Sequence, residues 1–140
     1  DLCWRAINKG YKIKYISESV VYHVGGATLQ QGNPKKTFLN FRNSLLMLTK
    51  NLPENKLYPI LLGRMVLDGI AGIQFLMKGK FNHFVAILKA HFSFYKLFLV
   101  HYKKRTKFQE QKYYHTKSIV YIYFIKKIVV FNDLFRTKQI

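Results

Sequence analysis

Hydrophobic and polar positions change their rhythm along this chain at about residue 33. Before it the pattern is short and mixed. Leu2 to Lys9 reads as the end of a helix, and Gly10 is placed to stop it in a left-handed conformation. Tyr11 to Ile16 (YKIKYI) alternates polar and apolar residues, which predicts a half-buried strand. Ser17-Glu18-Ser19 reads as a turn, and Val20-Val21-Tyr22-His23 as a second short strand broken by Gly25-Gly26. Gly32-Asn33-Pro34 closes the region.

Beyond Pro34 the pattern is helical. Thr37 is a candidate cap for a helix from Phe38 to about Leu52, ended by Pro53. Leu57–Met77 is a long apolar run stopped by Lys78-Gly79-Lys80, and Phe81 to about Tyr102 is another. Lys103 to Lys117 is polar and basic and reads as a linker or exposed turn. Ser118 to Phe135 is apolar and rich in Ile, Val and Tyr; helix and strand compete there, and helix is the expectation. The chain carries no internal repeat.

The first long run spans 21 residues, enough to cross a hydrocarbon core of ~30 Å. Arg64 and Asp68 lie within it, however, and each costs about 2.5–3.5 kcal/mol at a bilayer centre. Four residues apart, they can pair on one helix face. Gly63, Gly69 and Gly72 permit close helix packing. The expectation is therefore a helix at the membrane interface, packed on a neighbour. In the second run Lys89, Lys96 and Lys103 recur every seven residues and form one basic stripe beside a wide apolar face. That pattern suits a helix sunk to the headgroup level with its lysines reaching phosphates. A bundle helix whose lysines face water has the same pattern.

Charge sharpens this picture. The 140 residues hold 24 Lys+Arg against 6 Asp+Glu, a formal +18, with 49% hydrophobic residues, 12 Phe and 10 Tyr. Such apolar content excludes a disordered basic tail. It leaves two partner classes, an anionic membrane surface and nucleic acid. Nucleic acid is disfavoured, because the aromatics sit in long apolar runs and no nucleic-acid motif is present. The single Cys3 excludes an internal disulfide and a multi-cysteine zinc site. Cys3 is expected to be a small buried residue, since no thiolate-stabilising arrangement accompanies it. His83, His91, His101 and His115 have no metal-ligand spacing with a carboxylate and are expected to be interfacial or packing residues.

Four stretches carry the candidate chemistry: Asp1-Leu2-Cys3-Trp4-Arg5, Gly10-Tyr11, Tyr22-His23-Val24-Gly25-Gly26, and Phe41-Arg42-Asn43. Together they resemble the C-terminal part of a family 2 glycosyltransferase of the GT-A type, of the bacterial, membrane-associated, cell-surface polysaccharide kind. The resemblance covers residues 1 to about 52; the remainder matches only in style. It implies transfer of a sugar from a nucleotide-sugar donor to a lipid-linked or surface-glycan acceptor, with inversion, at the cytoplasmic face of the inner membrane. It implies a divalent metal, Mg²⁺ or Mn²⁺, and makes His23 a ligand awaiting partner carboxylates. The catalytic base and the nucleotide-binding half would lie upstream, so this chain by itself is expected to be inactive. Asp1 matches the third acid of the motif and either positions the acceptor or favours the helix N-terminus.

Gly25, Gly26 and Thr28 form a loop whose backbone can approach phosphates, or a plain turn. Arg42 offers a fork of donors suited to diphosphate beside Asn43, or is a surface arginine. Trp4 is expected to pack on the strands, and Arg5 to tie its helix to an acid.

The expected fold is mostly α, with a short strand pair near the N-terminus. Residues 1–33 would be the remnant of the GT-A domain, too short to bury a core of their own. Residues 34–56 would close that domain, and 57–140 would be basic amphipathic helices that dock on the membrane.

Overall fold

The computed structural model describes residues 1–22, 32–105, 122, 123 and 125–128. Four helices follow in order: α1 (Leu2–Asn8), α2 (Pro34–Asn51), α3 (Glu54–Met77) and α4 (Phe81–Lys103). The mostly helical expectation holds. The strand pair does not: residues 11–16 and 20–22 have no regular structure, and His23 lies outside the described residues. The side chains there explain why. Tyr15 is 91% exposed and Tyr22 97% exposed, so the alternating pattern finds no surface to cover. A lone pair of strands with no packed face is marginal in water.

α1 ends as its sequence requires. Gly10 takes φ +83, and the Gly10 and Tyr11 amides return to Ile7 O and Ala6 O. α2 starts a turn earlier than Thr37 suggests. Asn33 caps it, its side chain accepting from the Lys35 amide at 2.8 Å, and Pro34 occupies the first turn where no amide hydrogen is needed. Thr37 instead meets His83 Nδ1 of α4 at 2.8 Å. α3 likewise begins at Glu54, directly after Pro53. Gly79 at φ +66 turns the chain between α3 and α4, as the Lys-Gly-Lys stop predicts.

Contacts along the helices set the topology. Phe41 of α2 meets Arg64 of α3. Met65, Asp68 and Gly72 of α3 meet Tyr95, His91 and Phe84 of α4 in reverse order. The three long helices therefore run up, down and up, with α2 and α4 parallel and most extensively packed. Their core is Leu45, Leu46, Leu52, Leu57, Leu61 and Phe94, with Trp4 leaning on its edge. Trp4 thus packs on helices rather than on strands. Arg105, just past α4, donates to the carbonyls of Thr49 and Leu52 at the end of α2, where backbone acceptors lack partners.

Of the three glycines in α3, Gly72 alone makes a close approach. A Cβ there would lie 3.2 Å from Phe84 Cδ2, whereas Gly63 and Gly69 face open space. Close packing through all three glycines is therefore corrected to a single contact.

Candidate functional site

Two polar clusters stand out from an otherwise apolar bundle. The first joins α1 to the end of α2. Asp1 occupies the N-cap position of α1, but its carboxylate makes no cap bond and turns to the end of α2. Oδ2 lies 3.0 Å from Arg5 Nε and accepts from Lys50 Nζ at 2.9 Å, while Oδ1 accepts from Asn51 Nδ2 at 2.9 Å. Asn51 also donates to Met47 O at 2.9 Å, and Asn8 donates to Asn51 O at 3.3 Å. Arg5 pairs with Asp1 of its own helix, four residues back, and so does not tie that helix to another element.

Positive charge accumulates beside this knot. Burial lowers the Lys50 pKa, with Arg5 adding to the effect. Burial also lowers the His101 pKa, followed by the charges of Lys104, Lys50 and Arg42. Lys50 and Arg42 thus share the electrostatic neighbourhood of His101, and Lys50 bonds Asp1. Arg42 folds back on its own helix, with its guanidinium 4.9 Å from the Phe38 ring centroid and its Nε donating to Asn43 Oδ1 at 3.1 Å. Arg42 and Asn43 therefore form a unit. His23, Gly25, Gly26 and Thr28 lie outside the described residues.

The second cluster was not legible as a site. Asp68 is 1% exposed within α3. Arg64 Nε lies 2.7 Å from Asp68 Oδ1, the pairing expected from their four-residue spacing. His91 Nε2, from α4, lies 3.2 Å from Oδ2. Desolvation raises the Asp68 pKa, against the opposing pull of Arg64 and His91. The His91 contact spans 23 positions, and only the antiparallel hairpin creates it. Two opposite charges four residues apart within an apolar run are what marked the place in sequence.

Cys3 is exposed, not buried. Among the described residues no group of three or more His, Cys, Asp or Glu is arranged to hold a metal ion. The described residues do not fit a divalent metal, and a metal at His23 would need carboxylates from elsewhere.

The surface around the second cluster is apolar. α3 and α4 are each long and apolar enough to cross a membrane. Leu62, Val66, Leu67, Ile70, Ile73 and Met77 of α3 are exposed, as are Leu88, Phe92, Tyr95 and Leu99 of α4. Lys89, Lys96 and Lys103 are exposed too. At 3.6 residues per turn the lysines stand beside the Leu88–Leu99 face, not within it. Comparison with known proteins adds no relative: no family model, curated protein or solved structure matches the chain.

Proposed function

We propose that the chain is the C-terminal part of a membrane-associated family 2 glycosyltransferase, closing a GT-A catalytic domain and docking it on an anionic membrane. The reaction would move one sugar from a nucleotide-sugar donor to a lipid-linked or surface-glycan acceptor, with inversion. The observation that carries the reading is the Asp1 knot. It joins the Asp1-Leu2-Cys3-Trp4-Arg5 helix to the helix bearing Arg42 and Asn43, so two separate parts of the resembling motif lie on helices in contact. In this reading Asp1 is a positioning residue. Its carboxylate is occupied by Arg5, Lys50 and Asn51, which suits holding the edge of an acceptor cleft better than removing a proton.

Chemistry assigns the remaining parts. The general base belongs to the segment preceding Asp1. Arg42, released from Phe38, supplies charged donors to the diphosphate leaving group. The divalent metal implied by the resemblance requires carboxylates of that same upstream segment, with His23 contributing. The hairpin of α3 and α4 lies in the interface with its apolar face down. This places the catalytic domain at the plane where a lipid-linked acceptor resides. That position corresponds to the cytoplasmic face of a bacterial inner membrane.

A membrane-associated structural protein without catalysis is the second reading, and the exposed apolar face of α3 and α4 favours it equally. Sugar transfer from a radiolabelled donor, measured on the chain extended through its upstream residues, separates the two. The extended protein is expected to turn over and to lose about a hundredfold in kcat/KM on Arg42→Ala. No transfer leaves the structural reading, and wild-type kinetics in the variant overturns the role given to Arg42. The 140-residue chain alone is expected to be inactive, and turnover by it would refute an upstream base. Salt-sensitive RNA binding without vesicle binding would overturn both.

A further inference from the structure

The seam between α3 and α4 is not closed. A furrow of about 710 Å³ opens between Tyr58, Leu61, Leu62 and Met65 on one side and Phe94, Tyr95 and Phe98 on the other. A second of about 420 Å³ continues along the seam from Met65 and Tyr95 to Gly72 and Phe84. The two share Met65 and Tyr95, whose Sδ and hydroxyl lie 3.9 Å apart, so one pair of flexible or planar side chains separates them. From Tyr58 to Gly72 the seam runs fourteen helical steps, about 21 Å at ~1.5 Å per residue.

Its size, walls and rim point to one kind of occupant. The volume lies within the ~300–1,000 Å³ range of small-molecule sites. The length exceeds the ~15 Å of one leaflet, half of a ~30 Å hydrocarbon core. The larger furrow has no charged residue in its wall. The Asp68 carboxylate borders the smaller one, but Arg64 and His91 engage it and it is 1% exposed. The lips, Leu62, Leu88, Phe92 and Tyr95, belong to the exposed apolar face itself. Lys89 and Lys96 each directly follow a lip residue and are exposed. A furrow that opens onto an apolar face beside a cationic stripe matches an anionic lipid, its chain inside and its phosphate at the lysines.

We infer that the α3–α4 furrow holds one hydrocarbon chain of an anionic membrane lipid, with Lys89 and Lys96 meeting its headgroup phosphate. The inference rests on the docking reading above and adds to it: the membrane is gripped by a chain drawn between the helices, not only touched. Leu61 and Phe94 line the furrow at 4% and 1% exposure, so a helix pair merely resting on lipid does not present them.

The test uses the full 140-residue chain and vesicles containing phosphatidylglycerol with a diazirine on its acyl chain. After photolysis, label is expected on Leu61 and Phe94 as well as on outer Ile70 and Ile73. Met65→Trp fills the furrow; it should cut label at Leu61 and Phe94 about tenfold, the scale of an overpacking cost, and spare Ile70. Flotation of both proteins should be equal. If circular dichroism shows that this variant has lost helix, Leu62→Trp at the exposed lip replaces it, with the same expected direction.

Flotation with label at Ile70 and Ile73 alone overturns the furrow and leaves docking standing, as does equal labelling of Leu61 in the filled variants. Label at Leu61 that appears only after truncation beyond Arg105 gives the furrow to the chain's own C-terminal segment and also overturns the inference. Failure of the wild-type chain to float overturns docking and furrow together.

Discussion

Where the helices meet, the inward apolar side chains are covered; on the outer face of the α3–α4 hairpin the same residue types stand open. Leu45, Leu52 and Ala90 are wholly buried, and Phe94 is 1% exposed. One helical face away, Leu67 is 61% exposed and Ile73 58% exposed. Residue type does not separate the two, since Ile87 is buried and Ile70 exposed. Partnership does. α2 is amphipathic and shows its apolar stripe to α4, whereas α3 is apolar nearly all round and covers only part of that surface against α2 and α4. A stripe that finds a helix becomes a core. A second stripe on the same helix needs another apolar phase.

This contrast is open to attack by mutation. The largest effect is expected on the closed side. Phe94→Ala removes a ring that contacts Phe98 and Tyr95 and should destabilise the chain by ~3–5 kcal/mol in urea unfolding. Ile70→Ser on the open side should stay within ~0.5 kcal/mol in the same assay, because its surroundings in water barely change. A comparable loss in both would erase the distinction between core and face.

Next comes the basic stripe. Replacing Lys89, Lys96 and Lys103 together with Gln should weaken binding to anionic vesicles by ~3 kcal/mol, about a hundredfold, at ~1 kcal/mol per lysine. Neutral vesicles should show little change. Equal weakening on both would assign the binding to apolar contact alone.

Smaller effects test how the closed side is finished. Arg105→Ala strips two carbonyls at the end of α2 of a charged donor and should cost ~1.5 kcal/mol. Asn33→Ala at the other end should cost ~1 kcal/mol.

The smallest expectation concerns pH. His101 has its pKa lowered in the fold, first by burial and then by Lys104, Lys50 and Arg42. The unfolded chain therefore binds more protons than the native one below the ordinary histidine value of about 6.5. The stabilising effect of keeping His101 neutral is present above that value and is lost as pH falls through the folded pKa. Urea midpoints should drop on acidification, with a shallower slope in His101→Gln. Identical slopes would assign the acid sensitivity to another group.

Several features could be read from residue order because their causes are local. Gly10 and Gly79 needed only a left-handed stop. The Arg64–Asp68 pair needed only a four-residue spacing, and the lysine stripe only a seven-residue repeat. α2 starts before Thr37 because Asn33 accepts its first amide and Pro34 supplies a ready first turn. YKIKYI carries the period of a sheet, but that period forms a strand only where a partner edge and a packed face exist.

What the sequence determined by itself was the predominance of helix, the helix stops, net charge and the apolar character of α3 and α4, since each follows from neighbours within a turn or two. The tertiary structure decided which of those apolar faces became core. It also decided that Asp1 would bind Lys50 and Asn51, and that His91 would reach Asp68. Those contacts join residues 23 to 50 positions apart. Nothing in local spacing encodes them, because they exist only once the helices have chosen their neighbours and the hairpin has set its register.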